Sequence, residues 1–415
     1  MSRNRLEVAD VFRNYGSEFM QQWGSSLSVD QRRAFDAIVN CRTKALGGHL
    51  EQCNACGHER NAYNSCRNRS CPKCQALARA NWMESRAAEL LPIPYFHIVL
   101  TVPNEIGSIA LQNQRVVYDI LFQAGVRTLQ ELAADPKHMG AEIGVLSILH
   151  TWGQRMDHHV HLHCVVTGGG ISPDGTQWIP CKRTKDGVPY FVHEKVISRK
   201  FRGKFIDYLK KANAAGKLGF YGKLESLSRP AEFETHLNES VRHDWVVDVE
   251  PPFGKPKQVL CYLARYTNRV AISNDRLITV RDSRVYFWWK DYANDGEMKQ
   301  TSFEACEFIR RFLLHVLPSR FRKIRHSGFL ANRNRDVKLN LARELLGVCD
   351  DHNATDDIQP PKPCSADEQS EPREPRCPVC RKGVMVRVGR ITAEHELIPR
   401  MVTALARPPP MKKTG

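Results

Sequence analysis

The fold of this chain is decided by the stretch Asp157-His158-His159-Val160-His161-Leu162-His163-Cys164-Val165-Val166, whose residues alternate with a period of two. Such alternation is typical of a β-strand with one face in the core. Val160, Leu162, Cys164 and Val166 share the apolar face, and His159, His161 and His163 share the other. A strand that presents several imidazoles beside a core is a candidate metal-binding or catalytic element.

A second strand is predicted over residues 145–152, with Leu146, Ile148, His150 and Trp152 on one face. Polar residues 153–157 connect it to the histidine strand, so a hairpin is expected. Folding back about that connection brings His150 beside His161 or His163. We therefore predict a metal site of His161, His163 and His150, with His159 as the alternative third ligand. A core histidine that hydrogen-bonds within the sheet is the other interpretation of His150.

Charge favours a nucleic-acid partner. The 415 residues carry a net charge of +16 at neutral pH, with 61 Lys and Arg against 45 Asp and Glu. A basic surface of this size most often binds a polyanion. The sequence has no apolar run of transmembrane length and no signal-peptide core at its start. We expect a cytoplasmic, nucleoid-associated protein of bacterial type without a membrane partner.

Two Cys-x-x-Cys pairs form the strongest local motif. Cys53 and Cys56 are separated from Cys71 and Cys74 by residues 57–70. Two such pairs that converge on one ion make a tetrahedral thiolate site of the zinc-ribbon type. The segment is too short and too polar to order itself without metal. We predict one structural Zn²⁺ on these four cysteines, with Cys66 as a possible replacement for one of them.

A further pair, Cys377 and Cys380, is half of a zinc site, and its candidate partners are Cys349 and Cys364. The preceding residues are acidic, rich in proline and poor in apolar side chains, which predicts a disordered linker. The expected organisation is a helical and zinc-ribbon domain over 1–92 and a catalytic domain over 93–348. The linker then covers 349–376, and a Cys-x-x-Cys segment with a basic tail covers 377–415.

Tyr262 and Tyr266 are four residues apart on a predicted helix, so both phenols leave one side of it. They are candidate functional groups, although tyrosines on a helix more often serve packing. Phe321 and Phe329 are interleaved with a late basic tract, a mixture that suits nucleic acid. The other interpretation is that both rings belong to the core. The predicted DNA-binding residues are Arg67, Arg69, Arg265, Arg269, Arg322, Lys323 and Arg325.

These motifs together resemble a known family, the rolling-circle HUH transposases of insertion sequence 91 and its relatives. The resemblance rests on five stretches whose order and spacing hold over most of the chain. They are Asn64-Ser-Cys-Arg-Asn-Arg-Ser-Cys-Pro-Lys-Cys74, Leu149-His-Thr-Trp-Gly153, His159-Val-His-Leu-His163, Tyr262-Leu-Ala-Arg-Tyr-Thr-Asn-Arg-Val-Ala-Ile272 and Phe321-Arg-Lys-Ile-Arg-His326.

The resemblance implies an α+β fold. Its centre is an HUH-endonuclease-like antiparallel sheet flanked by helices, and an N-terminal zinc ribbon precedes it. It also implies that His161 and His163 hold Mg²⁺ or Mn²⁺ and that Tyr262 and Tyr266 are nucleophiles of the two-tyrosine branch. The resemblance does not fix which tyrosine attacks first, and we choose Tyr262. Asn268 stands where relatives commonly have histidine, so no ligand is expected there.

The implied activity is transposition by nicking single-stranded DNA and transferring the strand through a 5′-phosphotyrosine. Its partners are single-stranded DNA at the transposon ends and target, and a host helicase or the replication machinery. The sequence has no Gly-x-x-x-x-Gly-Lys-Ser/Thr loop, which is why unwinding is assigned to a host protein.

Three other functions explain part of the sequence. A plasmid replication initiator or relaxase shares the chemistry, but a fused helicase would favour that function and the sequence shows none. A non-enzymatic, zinc-dependent DNA-binding regulator explains the cysteines and the charge but not the histidine hairpin. A histidine-triad nucleotide hydrolase, with His161 as nucleophile, leaves the cysteines and tyrosines without a role.

Overall fold

The helices and strands are taken from a computed structural model that describes residues 6–75, 89–253, 259, 270–292, 294–348, 376–394 and 397–399. The α-helices among them are Val8–Trp23, Val29–Asn40, Asn104–Gln112, Gln114–Ala134, Glu194–Ala214, Pro230–Ser240, Ala305–Leu314 and Arg335–Leu345. Short 3-10 turns are Gly24–Ser26, Lys44–Leu46, Gly222–Ser228 and Asn274–Arg276. No helix in this described part of the chain is long and apolar enough to cross a membrane.

The described strands are numbered in chain order. They are β1 (Gly48–Cys53), β2 (Glu59–Tyr63), β3 (Tyr95–Thr101), β4 (Glu142–Trp152), β5 (His158–Ile171), β6 (Trp178–Pro180), β7 (Lys182–Arg183), β8 (Pro189–Tyr190), β9 (Val247–Phe253), β10 (Leu277–Arg281), β11 (Arg284–Asp291), β12 (Glu297–Glu304), β13 (Ile324–Gly328), β14 (Met385–Ile391) and β15 (Leu397–Pro399).

The histidine strand β5 is central in the largest sheet, whose order is β13-β4-β5-β3-β9 with β6 also paired to β5. All of these pairs are antiparallel. Strands β4 and β5 form the predicted hairpin, and its register sets His150 opposite His161. The predicted α+β fold with an antiparallel sheet is therefore confirmed.

The apolar face of β5 packs as the alternation predicts. Val160, Leu162, Cys164 and Val166 are all buried in the main core, together with residues of helices Gln114–Ala134 and Glu194–Ala214. The first of these helices comes very close to the sheet at Gly125, where a Cβ would lie 2.7 Å from Cδ1 of Leu100. The two helices cover this face of the sheet. Because side chains alternate along the strand, His161 and His163 lie on the opposite face.

The N-terminal helices pack on a later part of the chain. Helix Val29–Asn40 begins with a capping box, in which Ser28 Oγ accepts from the amide of Gln31 and the Gln31 side chain accepts from the amide of Ser28. Phe12 and Phe312 meet with ring centroids 5.4 Å apart. The same buried cluster includes residues of the small sheet β10-β11-β12.

The C-terminal strands join an N-terminal sheet, whose order is β15-β14-β1-β2. Strand β14 pairs antiparallel with β1 from Gly48 opposite Ile391 to Cys53 opposite Met385. The predicted domain boundaries stay a prediction, although this pairing and the shared helical core connect the predicted units. Most of the predicted linker, residues 349–375, lies outside the described residues.

Candidate metal centre

Three histidines come together on the face of the β4–β5 hairpin that is opposite the main core. His150, His161 and His163 each offer a ligand atom, and these atoms lie within 4.8 Å of one another. His150 and His163 are only 3% and 7% exposed. The prediction that the hairpin brings His150 beside His161 is confirmed. The alternative, His159, is not in the group, and its ring centroid lies 5.0 Å from that of His161.

Hydrogen bonding sets the tautomer of His161. Its Nδ1 lies 2.9 Å from the carbonyl oxygen of His159, and a carbonyl only accepts, so Nδ1 carries the proton. The lone pair is therefore on Nε2, as a metal ligand requires. Burial lowers the pKa of His161 to about 3, which keeps the ring neutral at physiological pH. A neutral imidazole is the form that binds a metal ion.

His163 is oriented by a chain that begins at a carboxylate. Glu250 on β9 lies opposite His97 on β3, and its Oε2 is 3.1 Å from His97 Nδ1. His97 Nε2 is 2.9 Å from His163 Nδ1. Because a carboxylate accepts, His97 donates through Nδ1 and accepts from His163, which directs the His163 lone pair to Nε2.

His97 and Glu250 were missed from the sequence. His97 lies in the predicted strand 94–102, but no spacing connects it with the histidine hairpin or with Glu250. Strand order alone brings them together, because β3 lies between β5 and β9. A carboxylate often orients a metal-binding histidine directly, and here His97 stands between the carboxylate of Glu250 and His163.

Replacing Glu250 with alanine should weaken metal binding at the histidines by about 10- to 100-fold, because the orienting partner of His97 is lost. Calorimetric titration with Mn²⁺ measures the dissociation constant. The control is Asp248→Asn, which removes a carboxylate from an exposed position on the same strand and should leave Mn²⁺ affinity unchanged. Equal affinities in wild-type and Glu250→Ala protein would show that Glu250 has no orienting role.

A cavity with basic and aromatic walls lies behind Trp152, next to the three histidines. Its lining includes Arg69, Trp152, His315 and Lys323. The ring of Trp152 stacks on that of His150, with centroids 4.6 Å apart. Desolvation, with a smaller effect of Arg69, lowers the pKa of Lys323 to about 7. Basic and aromatic side chains therefore lie directly beside the histidines, and burial favours the neutral form of Lys323.

Tyr262, Tyr266, Arg265 and Arg269 lie outside the described residues. The described residues on either side of that segment both pack near the histidines. Val259 is fully buried in one cluster with Ile148 and Val165, which lie on the histidine face of the sheet. Val270 lines the cavity that Trp152 also lines.

The cysteines form two groups of four, with a membership that differs from the prediction. Cys71 and Cys74 cluster with Cys66 and with Cys41, whereas Cys53 and Cys56 cluster with the C-terminal pair Cys377 and Cys380. The predicted single set of Cys53, Cys56, Cys71 and Cys74 is therefore wrong in its membership. The physical reason is that Cys53 ends β1, and its pairing with β14 carries it to the C-terminal segment.

Cys66, the predicted replacement, does belong to the first group, which we call the N-terminal cysteine cluster: Cys41, Cys66, Cys71 and Cys74. Three of its sulfur–sulfur distances are 3.6 to 3.7 Å, and all four sulfurs lie within 4.8 Å of one another. Cys41 was missed because it is a lone cysteine at the end of helix Val29–Asn40, outside any Cys-x-x-Cys pattern.

The predicted DNA-binding residues that the structure describes have varied surroundings. Arg69 donates to the carbonyls of Leu317, Pro318 and Phe321, so it ties the cysteine segment to that loop. Arg325 pairs with Asp119 and lies over the ring of Phe122. Arg67 and Arg322 are exposed. Contact of these residues and Lys323 with DNA stays a prediction.

The two interleaved aromatics do not face solvent. Phe321 is 3% exposed and Phe329 is fully buried, and they belong to two different core clusters. Of their two predicted roles, packing in the core is confirmed, and the stacking of nucleic acid on these rings is wrong because neither ring is accessible. Of this basic stretch, the side chain of Arg322 is exposed to solvent.

Two family profiles match this chain, one in its N-terminal part and one over the histidine hairpin. A family profile described as "Transposase zinc-binding domain" matches residues 11–102, and one described as "Putative transposase" matches residues 144–337. The first range contains the whole N-terminal cysteine cluster, and the second contains the histidine hairpin. The two profiles therefore correspond to the two kinds of site that the structure presents.

Solved structures of the conjugative relaxase TrwC in complex with oriT DNA also align. The copper-bound form does so with a TM-score of 0.24 and 16% identity, over 43% of this chain and 65% of the relaxase chain. The metal-free form gives the same score and identity over 43% of this chain and 68% of the other.

Two relatives extend the similarity beyond single domains. The chain is 50% identical over 390 residues to "Putative transposase y4qJ" of Sinorhizobium fredii (strain NBRC 101917 / NGR234), covering 94% of this chain and 96% of that protein. It is 26% identical over 299 residues to the transposase for insertion sequence element IS801 of Pseudomonas savastanoi pv. phaseolicola, covering 71% and 69%. Because the first match spans nearly both chains, this chain belongs to the transposase family of insertion sequence 91, with the zinc-binding domain of that family at its N-terminus.

Proposed function

We propose that this transposase nicks single-stranded DNA in a metal-dependent reaction and transfers the cut strand through a 5′-phosphotyrosine. The observation that carries the proposal is the group of His150, His161 and His163 on one face of the β4–β5 hairpin. The nucleophiles proposed are Tyr262 and Tyr266, from the family resemblance. The substrates are single-stranded DNA at the transposon ends and target, and a host helicase or the replication machinery supplies the unwound strand.

The three histidines fit a divalent ion. Their ligand atoms converge, and hydrogen bonds at Nδ1 of His161 and His163 direct the lone pair of each to Nε2. Nitrogen ligands suit Mn²⁺ better than Mg²⁺ on softness, and we propose that either ion serves. A bound ion would polarise the scissile phosphate and stabilise the charge that develops on its oxygens.

The positions of Val259 and Val270 support a tyrosine nucleophile from the segment between them. Val259 belongs to the buried cluster on the histidine face, and Tyr262 follows it by three residues. The assignment of Tyr262 and Tyr266 as nucleophiles itself rests on the family resemblance.

The proposed reaction conserves the phosphodiester energy. The phenol oxygen attacks phosphorus, the bond to the 3′ oxygen breaks, and the proton lost by the phenol is balanced by one gained at the leaving 3′ hydroxyl. A phenol has an ordinary pKa of about 10, so attack at neutral pH needs a phosphate whose charge is already stabilised. Because the tyrosyl ester keeps the bond energy, religation needs no nucleotide. A second tyrosine allows a second covalent intermediate during transfer.

We also propose that the N-terminal cysteine cluster binds one structural Zn²⁺. Sulfurs about 2.3 Å from one tetrahedral ion lie about 3.8 Å apart, close to the 3.6 to 3.7 Å found here. The ion would join the end of helix Val29–Asn40 to the segment that carries Arg67 and Arg69.

Replacing Cys41 with serine should remove one zinc ion per chain and expose the amides of residues 64–75 to exchange, because a short polar segment depends on its metal for order. Elemental analysis gives the zinc content, and hydrogen exchange with mass spectrometry locates the disorder. Cys306→Ser is the control, since Cys306 is a buried free thiol outside both clusters. Unchanged zinc content in Cys41→Ser protein would contradict the assignment.

The proposed function is tested with a single-stranded oligonucleotide from the end of the element and Mn²⁺. A 3′-terminal label should become attached to protein in a protease-sensitive adduct, while a 5′-terminal label should leave on a shorter strand with a free 3′ hydroxyl. EDTA should prevent both. Binding without any adduct would support the non-enzymatic regulator, and attachment of the 5′ label would show the wrong polarity of attack.

A further inference from the structure

The second group of cysteines joins two distant parts of the chain. It consists of Cys53, Cys56, Cys377 and Cys380, whose sulfurs all lie within 4.8 Å of one another. Cys56 and Cys377 are 321 residues apart in sequence. We call this group the terminal cysteine cluster. It includes residues beyond both ranges that the family profiles match.

Sulfur distances in the terminal cysteine cluster match a metal site. The Sγ atoms of Cys53 and Cys380 are 3.7 Å apart, and those of Cys56 and Cys377 are 3.6 Å apart. A disulfide requires about 2.05 Å between sulfurs, whereas thiolates around a tetrahedral zinc ion lie about 3.8 Å apart. Each sulfur of one pair therefore faces the other pair at the separation that a shared ion requires.

The two Cys-x-x-Cys turns have the same backbone form. The amide of Gly57 donates to the carbonyl of Cys53 at 3.0 Å, and the amide of Arg381 donates to that of Cys377 at 3.0 Å. Gly57 and Arg381 directly follow the second cysteine of each pair and have positive φ values of 72° and 58°. Two matching turns related across the cluster are the arrangement in which paired cysteines enclose one zinc ion.

Backbone amides also point at the sulfurs. The amide of Ala55 donates to Sγ of Cys53, and the amide of Gly383 donates to Sγ of Cys380, both at 3.4 Å. Donors aimed at sulfur stabilise a thiolate. The packing leaves no room for a side chain at Gly383, where a Cβ would lie 2.4 Å from Cys53 Sγ.

Apolar packing is too small to hold this joint by itself. The buried cluster around it consists of Cys53, Cys377 and Met385, with Cys380 partly buried against it. Strand β14 is nevertheless paired with β1 along its length. A joint with so few apolar contacts needs another source of stability, and a structural metal is the usual one in small folds.

We propose that the terminal cysteine cluster binds a second structural Zn²⁺, and that this ion fastens residues 376–394 to the N-terminal sheet. Four thiolates in a tetrahedral arrangement select zinc or iron over harder ions. The proposal replaces Cys349 and Cys364, the partners suggested by sequence, with Cys53 and Cys56. Both replaced residues lie outside the described residues, and the proposal is independent of the nicking chemistry.

Metal content of the full-length protein tests the proposal. Wild-type protein should hold two zinc ions per chain, and Cys380→Ser should hold one. The matched control is Cys349→Ser with Cys364→Ser, which should keep two. The proposal is overturned if wild-type protein holds one zinc ion, if iron replaces the second, if Cys380→Ser keeps two, or if the control falls to one.

Hydrogen exchange shows whether the ion fastens the segment. In Cys380→Ser protein the amides of residues 385–391 should exchange at least about tenfold faster, while those of β5 keep their protection. Unchanged exchange at 385–391 would overturn the fastening role. If this variant does not fold, cobalt-substituted wild-type protein decides the question. Its native mass and absorption should show two four-thiolate sites, and a single site would overturn the proposal.

Discussion

Replacement of His163 by alanine should abolish DNA cleavage while leaving the binding of single-stranded DNA nearly unchanged. The imidazole is one of three that converge, and the His97–Glu250 chain orients it. Loss of a metal-derived stabilisation of several kcal/mol corresponds to at least about a thousandfold in cleavage rate. Binding rests on the basic surface of a chain with net charge +16, which the substitution does not change.

Cleavage of a 3′-labelled oligonucleotide in Mn²⁺ measures the rate, and fluorescence anisotropy at fixed salt measures binding. His159→Ala is the matched control, because it removes an imidazole of the same strand that is outside the group of three and keeps the backbone carbonyl that accepts from His161. Its cleavage rate should stay within about threefold of wild type, well below the tenfold that about 1.4 kcal/mol represents. A His163→Ala protein that still cleaves, or a His159→Ala protein that does not, would refute this choice of ligands.

Tyr262→Phe combined with Tyr266→Phe should leave no covalent protein–DNA adduct. Phenylalanine keeps the ring and removes only the attacking oxygen, so the loss reports on nucleophilic chemistry. Each single substitution should cripple transposition, because two covalent intermediates need two phenols. We expect Tyr262→Phe to remove the first adduct and Tyr266→Phe to spare it.

Adduct formation is read on a denaturing gel with a 3′-labelled oligonucleotide, and transposition is read in cells that carry a marked element. Tyr221→Phe is the control, since Tyr221 is 71% exposed and lies outside the histidine region. An adduct that persists in the double variant would mean that the nucleophile lies elsewhere. A residue other than Tyr262 and Tyr266 would then attack the phosphate at the metal centre.

Local pattern was sufficient for the histidine hairpin. Alternation along β5 predicted which face carries His161 and His163, because side chains of a strand point alternately to its two faces. A short polar connection predicted the hairpin, and the hairpin fixed the register that sets His150 beside His161. These features depend on residues fewer than about 20 positions apart, where chain geometry leaves few alternatives.

Contacts between distant strands could not be predicted in the same way. His97 and Glu250 meet only because β3 lies between β5 and β9, and strand order depends on the packing of the whole sheet. The basic sequence around Phe321 likewise left open whether its ring binds nucleic acid or packs in the core, and the fold buries it near Phe122.

The cysteines show which features follow from sequence and which follow from tertiary structure. Sequence by itself determined that each Cys-x-x-Cys pair can offer two sulfurs to one ion, because spacing within a pair sets whether both can reach it. Which pairs come together was decided by tertiary structure. Strand β14 pairs with β1 and delivers Cys377 and Cys380 to Cys53 and Cys56, so the other pair is completed by Cys66 and Cys41. Spacing cannot encode that choice, since any two pairs on a long chain can meet and only strand pairing selects between them.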